Sequence, residues 1–179
     1  MIKSFLNPLS LSFFLFFVSC HETPQPRNQV AQEADANKAK IKNQFVEANQ
    51  QLMQKENDEM DNYASSHRLP FVRMPSGIRY YVYKPSAKGD SIRDSMQVTL
   101  FYKLSLLDGT LCYSSKTDGV KTMRIGMEDA ESGIHKGLQY LKRGDKAILL
   151  IPSPLAHGLL GDFKKIPPQM PIVYDVEVY

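Results

Sequence analysis

Cysteine and histidine are the side chains of this sequence best suited to nucleophilic or metal chemistry, and both are scarce. The chain of 179 residues contains two cysteines, Cys20 and Cys112, and four histidines. His21, His67 and His135 are too widely separated in pattern for a metal site, and no combination of cysteine and histidine has the spacing of a zinc site. We therefore predict neither a metal nor a cofactor. The sequence around Cys20 predicts that this cysteine carries a lipid, as described below. Only Cys112 then remains, so no disulfide framework is expected either.

Length and charge narrow the class of protein. A chain of 179 residues that is 42% hydrophobic is long enough for one ordinary domain with appendages, and too short for two large domains. Lysine and arginine total 22 against 19 for aspartate and glutamate, a net charge of +3. A balance this even argues against nucleic acid as the main partner.

Residues 1–19 have the layout of a signal peptide. Lys3 supplies a positive start, and the apolar run over residues 9–18 is interrupted only by two serines. The run is shorter than the about 20 apolar residues of a transmembrane helix. It ends at Cys20 in a pattern that resembles the lipobox of bacterial lipoproteins. That resemblance implies cleavage before Cys20 and a lipid on its sulfur, which would anchor the protein to a membrane at about 0.8 kcal/mol per buried methylene. A plain secretory signal is the alternative.

A tether and a long helix precede the domain. Residues 20–28 contain two prolines and no apolar pattern, which predicts an extended spacer. Residues 29–66 contain neither glycine nor proline and are rich in strong helix formers, which predicts a helical arm. One apolar stripe runs along this arm at spacings of three and four residues: Ile41, Phe45, Ala48 and Leu52. A stripe of about two heptads either docks on its own domain or forms a homodimer through the arm.

After Pro70 the apolar period changes to that of strands. We predict strands over four stretches: 78–83, 98–105, 146–151 and 172–179. Asp108-Gly109 is a tight-turn signal beside the second of them. Apolar residues recur at helical spacing within 132–143 and stop at Gly144, which predicts one short helix. This order of elements predicts an α+β domain over residues 67–179.

Within the domain, short motifs follow one another in a recognisable order. They are Val98 to Tyr102, Asp108-Gly109-Thr110, Ser114-Ser115, Ile125-Gly126, Gly133, Gly137-Leu138, Gly144 to Ala147, Ile151-Pro152, Ala156-His157-Gly158, Ile166-Pro167-Pro168 and Tyr174 to Glu177. Their order and spacing over about residues 76–179 resemble the FKBP-type peptidyl-prolyl cis-trans isomerases. With the lipobox, the arm and the strand at residues 79–81, the chain further resembles the gliding-motility-associated FKBP-type lipoproteins of gliding bacteria.

The resemblance implies both a fold and an activity. The fold is a bent antiparallel sheet wrapped over one short α-helix, with the ligand pocket between them. The activity is rotation about X-Pro bonds, which otherwise meets a barrier of about 18–20 kcal/mol. An apolar pocket that excludes water disfavours the planar amide relative to the less polar twisted one. The expected partners are polypeptide clients that contain proline. The expected location is the cell envelope, with the protein anchored to the outer membrane and facing the periplasm.

The family's pocket maps by position onto ten residues of this chain. They are Tyr102, Cys112, Tyr113, Met123, Ala130, Glu131, Ile134, His157, Ile166 and Tyr174. Tyr102, Ile166 and Tyr174 match the family's aromatic and aliphatic walls. The backbone N–H of Glu131 occupies the position at which the family binds a substrate carbonyl.

Five positions depart from the family's pattern. They are Cys112 for phenylalanine, Tyr113 for a functional aspartate, Ile134 for an aromatic floor, His157 for tyrosine, and Glu131 for an aliphatic residue. The departures favour a second class of function, a binding module with weak or no turnover, whereas the conforming walls favour an isomerase. The sequence also leads us to expect that Tyr113→Asp raises activity, and that the arm is dispensable for folding of the domain.

Overall fold

The computed structural model describes residues 26–127 and 130–179, with side chains from residue 31 onward. The predicted signal peptide, the predicted lipidation site at Cys20 and most of the predicted tether lie outside these residues. In the described part of the chain, no helix is both long enough and apolar enough to cross a membrane. The chain divides into two compact units, and the second of them, residues 45–179, contains the whole sheet.

The described elements begin with a long helix and four consecutive strands, and short helices separate the strands that follow. In order they are α1 (Pro26–Ser66), β1 (Val72–Arg73), β2 (Arg79–Lys84), β3 (Gln97–Leu106), β4 (Leu111–Ser114), α2 (Ser115–Asp118), β5 (Lys121–Arg124), α3 (Ser132–Leu138), β6 (Lys146–Ile151), a 3₁₀ turn (Ser153–Leu155) and β7 (Ile172–Val178).

These strands form one antiparallel sheet. Its order is β1-β2-β6-β7-β3-β4, and β5 pairs with the first half of β3. Strand β7 is central, with Tyr174 opposite both Leu149 of β6 and Leu104 of β3. The register follows from the apolar alternation, because a slip of one residue would turn every side chain to the other face.

The two faces of the sheet bury different sets of side chains. Leu149 and Tyr174 belong to the main core, together with Ile134 of helix α3. Their neighbours Leu150 and Val173 belong to a smaller cluster that includes residues of α1. Period-two alternation along β6 and β7 therefore gives the sheet two apolar faces.

The α+β class, the long N-terminal helix and the helix packed on an antiparallel sheet are confirmed. Helix α1 starts at Pro26, inside the predicted tether, and proline is favoured at a first helical position. Helix α3 ends at Leu138 rather than at residue 143, because the N–H groups of Tyr140 and Leu141 bond three residues back in turns. Elements of two to four residues, β1, β4, β5 and α2, were not predicted, because they are too short to display a period.

The C-terminal half of α1 packs on the sheet through residues outside the predicted stripe. Met60 is fully buried against Leu150 and Val173. Glu56 is 2% exposed, and its carboxylate accepts bonds from the backbone N–H and the hydroxyl of Ser153, at the 3₁₀ turn after β6. Helix α1 thereby holds the start of the loop that follows β6.

A buried arginine adds a second link between α1 and the sheet. Arg79 of β2 is 1% exposed, and its guanidinium donates to Asp61 at 2.7 Å and to the carbonyls of Asn57 and Gly77. A buried guanidinium requires this kind of pairing, because desolvation of an isolated charge is costly. These contacts argue against the expectation that the helical arm is dispensable for folding of the domain, and we now expect its C-terminal half to stabilise the domain.

The predicted stripe itself is largely open to solvent. Phe45 is 67% exposed and Ala48 is exposed, whereas Leu52 is half-buried. Docking on the sheet therefore uses Glu56 and Met60 instead. The stripe remains available as an apolar surface.

Candidate functional site

A cavity of about 350 Å³ opens on the α3 side of the sheet. Strands β3, β4, β5 and β7 contribute to its walls, together with the residue before α3 and the loop after β6. Its lining residues are Tyr102, Leu104, Tyr113, Lys121, Glu131, His157, Asp162, Lys164 and Tyr174. Half of the ten predicted site residues are thus brought together: Tyr102, Tyr113, Glu131, His157 and Tyr174.

Of the other five, Ala130 lines a shallow cavity that adjoins the first one at Glu131 and His157. Four side chains are instead buried in the main core: Cys112, Met123, Ile134 and Ile166. They belong to the same buried cluster as the lining residue Tyr174, and their contact with a ligand stays a prediction.

Cys112 has the environment of a small buried hydrophobe. The residue is 2% exposed, and its thiol lies 3.6 Å from the carbonyl oxygen of Lys165. Burial, and then the charge of Asp162, raise the pKa of this thiol. A thiolate nucleophile is therefore disfavoured at neutral pH.

Two aromatic rings form the inner wall of the cavity. The ring centroids of Tyr102 and Tyr174 lie 5.9 Å apart, and Tyr174 is 1% exposed. Burial and the nearby Glu131 carboxylate raise the pKa of Tyr174 well above its usual value. Its phenol is therefore protonated and donates to Oε1 of Glu131 at 3.2 Å.

Glu131 is the centre of a polar cluster in this wall. Its Oε2 accepts a hydrogen bond from Lys121 at 3.0 Å, and its Oε1 lies 3.0 Å from Nε2 of His157. Nε2 of His157 makes no hydrogen bond of good geometry among the described residues, so this contact is one of proximity. Burial opposes ionisation of Glu131, but the charges of Lys121 and His157 and a backbone hydrogen bond keep its pKa below the usual value. The resemblance implies an aliphatic residue at this position of the pocket rim, whereas this chain has an ionised carboxylate there.

A second polar pair joins β4 to the loop after β6. The phenol of Tyr113 donates to Oδ2 of Asp162, and Oδ1 of Asp162 accepts the N–H groups of residues 164, 165 and 166 at 2.8–2.9 Å. Desolvation works against ionisation of Asp162, but these four donors lower its pKa far below the usual range. The same bond raises the pKa of Tyr113 to about 12. Lys165 lies over the Tyr113 ring, 4.6 Å from its centroid.

Sequence reasoning missed four of the lining residues: Leu104, Lys121, Asp162 and Lys164. Asp162 carries a local signal, because an aspartate after Gly161 favours a turn in which its carboxylate accepts N–H groups just ahead in the chain. That signal predicts a turn, but its contact with Tyr113 depends on tertiary structure.

The geometry of this site can be compared with known proteins. The sequence profile of the FKBP-type peptidyl-prolyl cis-trans isomerases matches residues 89–179. The chain belongs to this family. The family resemblance inferred from the motifs is thus confirmed, and all the residues that line the cavity lie within the matched range.

Individual relatives extend the match beyond this domain. FkpA of Escherichia coli, an FKBP-type isomerase, is 31% identical over 165 residues, which cover 82% of this chain and 60% of the relative. The crystal structure of FkpA matches with 27% identity and a TM-score of 0.57, over 84% of this chain and 70% of the other. A peptidyl-prolyl cis-trans isomerase from Pseudomonas syringae pv. tomato matches with 25% identity and a TM-score of 0.61, over 72% and 92%. The chain spans about 60% of the length of the curated FkpA.

Proposed function

We propose that this FKBP-type protein is a peptidyl-prolyl cis-trans isomerase that acts on exported, proline-containing polypeptides. The observation that carries the proposal is the cavity lined by Tyr102 and Tyr174, the two residues that the resemblance assigns to the aromatic walls of the pocket. A proline ring packed against these rings would lose water, which favours the less polar twisted amide over the planar one.

The cavity also accounts for one departure from the family's pattern, the carboxylate of Glu131. Glu131 is neutralised by Lys121, so its carboxylate is a polar wall rather than an uncompensated charge. The backbone N–H of Glu131 precedes helix α3 and would donate to a substrate carbonyl, as the resemblance implies. The glutamate at position 131 therefore leaves in place the two features on which the reaction would depend. These are the aromatic wall of Tyr102 and Tyr174 and the backbone N–H of Glu131.

The activity is tested with an X-Pro peptide in a protease-coupled assay. We expect the folded protein to accelerate isomerisation, and Tyr102→Ala to lower kcat/KM about tenfold, a change of about 1.4 kcal/mol in transition-state binding. Phe101→Ala is the matched control, because Phe101 is the next aromatic residue of β3 and is 47% exposed outside the cavity. Rates equal to buffer for the folded wild type would overturn the proposal in favour of a protein-binding module without turnover.

The proposal includes anchoring of the protein by lipid on Cys20, in the cell envelope. Its support is the apolar run that ends at this cysteine. A place in a gliding-motility or secretion machine, and a homodimer through the exposed stripe at Phe45, are further parts of the proposal, and they rest on the resemblance and on the exposure of that side chain.

Cys20→Ser is expected to release the protein from membranes. The substitution removes the sulfur to which the lipid would be joined, and with it the free energy of burying the acyl chains. Fractionation of cells decides the point, with Cys112→Ser as the matched control. A Cys20→Ser protein that sediments with membranes as the wild type does would contradict the lipid anchor.

A further inference from the structure

The pair Tyr113 and Asp162 has a chemical consequence that the family's pattern does not contain. The resemblance puts an aspartate at position 113, whereas this chain has a phenol there and a carboxylate on the facing loop. Both residues line the cavity. The acid is therefore not lost from the site: it is supplied by a different segment and acts through the phenol.

The direction of the hydrogen bond fixes what the phenol can offer to a ligand. Oδ1 of Asp162 accepts three N–H groups, and Oδ2 accepts the phenol proton of Tyr113. Asp162 has no proton to give, so the O–H of Tyr113 must point toward it. The lone pairs of the phenol oxygen are then the groups left for the cavity, and Tyr113 is a neutral acceptor.

Such an acceptor complements the other polar group of the site. The Glu131 N–H is a donor, and the Glu131 carboxylate is already held by Lys121 and Tyr174. A peptide presents both carbonyl and N–H groups, so it needs one donor and one acceptor to be held in a single orientation.

We propose that the phenol oxygen of Tyr113 accepts a backbone N–H of the bound proline-containing peptide, and that Asp162 is the positioning residue that keeps this phenol in the accepting orientation. The inference rests on the proposed isomerase function and adds to it the polar contact that orients the substrate. It also reverses the expectation for Tyr113→Asp, because a carboxylate at position 113 would face Asp162 and repel it.

Asp162→Asn separates this role from support of the loop. The asparagine oxygen can still accept the three N–H groups, so its amide nitrogen faces the phenol and donates to it. The loop is kept while the hydrogen bond to Tyr113 is reversed. The matched control is Asp175→Asn, because Asp175 accepts the phenol of Tyr83 at 2.8 Å in an exposed pair that does not line the cavity.

The experiment measures kcat/KM for an X-Pro peptide and the Kd of the same peptide, with the full-length protein in detergent. We expect Tyr113→Phe and Asp162→Asn each to lower kcat/KM and weaken binding about five- to tenfold, with no change for Asp175→Asn. In the Tyr113→Phe background, Asp162→Asn is expected to add less than a twofold effect, since it acts through the absent phenol. Melting temperatures show whether each variant is folded.

A spectroscopic measurement reports on the phenol itself. The difference in alkaline absorbance between wild type and Tyr113→Phe isolates the titration of Tyr113, whose pKa is raised to about 12 by Asp162. Asp162→Asn is expected to move that pKa toward 10. An unchanged pKa would show that Asp162 supports only the loop and does not hold the phenol proton.

Three results would overturn the inference. They are full activity and binding in Tyr113→Phe, equal losses from Asp162→Asn with and without the phenol, and an unshifted Tyr113 titration in Asp162→Asn. A wild type that neither binds nor isomerises the peptide would overturn the proposed function as well, whereas an active wild type with unaffected variants would overturn the inference alone.

Discussion

A chain that starts at Ser65 is expected to be at least about 3 kcal/mol less stable to unfolding than one that starts at Phe45. The shorter chain lacks Glu56, Met60 and Asp61, all of which contact the sheet or the loop after β6. The loss of Met60 uncovers the apolar face at Leu150, and the loss of Asp61 removes the carboxylate partner of the guanidinium of Arg79. Because ordinary domains are stable by only about 5–15 kcal/mol, this loss is a large fraction of the total.

Chemical denaturation followed by circular dichroism measures the difference. Point variants of the full chain separate the helix from its buried residues: Met60→Ala is expected to cost about 2–5 kcal/mol. Met53→Ala, on the same helix but 55% exposed, is expected to cost less than about 0.5 kcal/mol. Equal stability of the chains that start at Ser65 and Phe45 would show that α1 is not part of the folding unit.

The position of α1 illustrates what the sequence could predict of the fold. Helix formers and the absence of glycine and proline were enough for the helix itself, because these are local properties. Its docking residues were not predictable, because Glu56 is a charged residue that becomes buried only through its bonds to Ser153, 97 residues later. An apolar stripe at Phe45 is a stronger local signal, but it is not the surface that packs.

The candidate site likewise contains residues that the sequence could predict and one that it could not. Tyr102, Glu131 and Tyr174 could be mapped by position, since family motifs flank each of them in the sequence. Asp162 could not, because nothing near it in the chain specifies that Tyr113 of a distant strand will face it. The tyrosine at a position where the resemblance implies an acid therefore faces an acid from another segment, and only the fold makes this visible.

Gly133→Ala is expected to lower both the stability of the domain and its activity. Gly133 lies in the first turn of α3, where an added Cβ would be 2.2 Å from Cγ2 of Ile151 and 2.7 Å from the carbonyl oxygen of Leu155. A backbone oxygen cannot rotate away, so the start of α3 must move off the sheet. Overpacking of this kind costs about 1–3 kcal/mol. The gain of about 1 kcal/mol in helix propensity does not offset the larger values in that range.

We expect Gly133→Ala to lower activity as well as stability, because a residue of the candidate site directly precedes helix α3. Glu131 lies two residues before Gly133, so its N–H and its carboxylate would be displaced with the first turn. We expect kcat/KM for an X-Pro peptide to fall at least tenfold in protein that is still folded, a loss of about 1.4 kcal/mol in transition-state binding. Displacements of about 1 Å at a catalytic site have effects of this size or larger.

Gly137→Ala on the same helix is the matched control. Its added Cβ would lie 2.9 Å from Cδ1 of Leu149, the end of a flexible side chain that can change rotamer. Both glycines have ordinary backbone conformations for any residue, so the comparison isolates the space around the Cβ. We expect Gly137→Ala to keep kcat/KM within about twofold of wild type and to change stability by less than about 1 kcal/mol. If Gly133→Ala proved as active as Gly137→Ala, the start of α3 would not be the element that positions the substrate carbonyl.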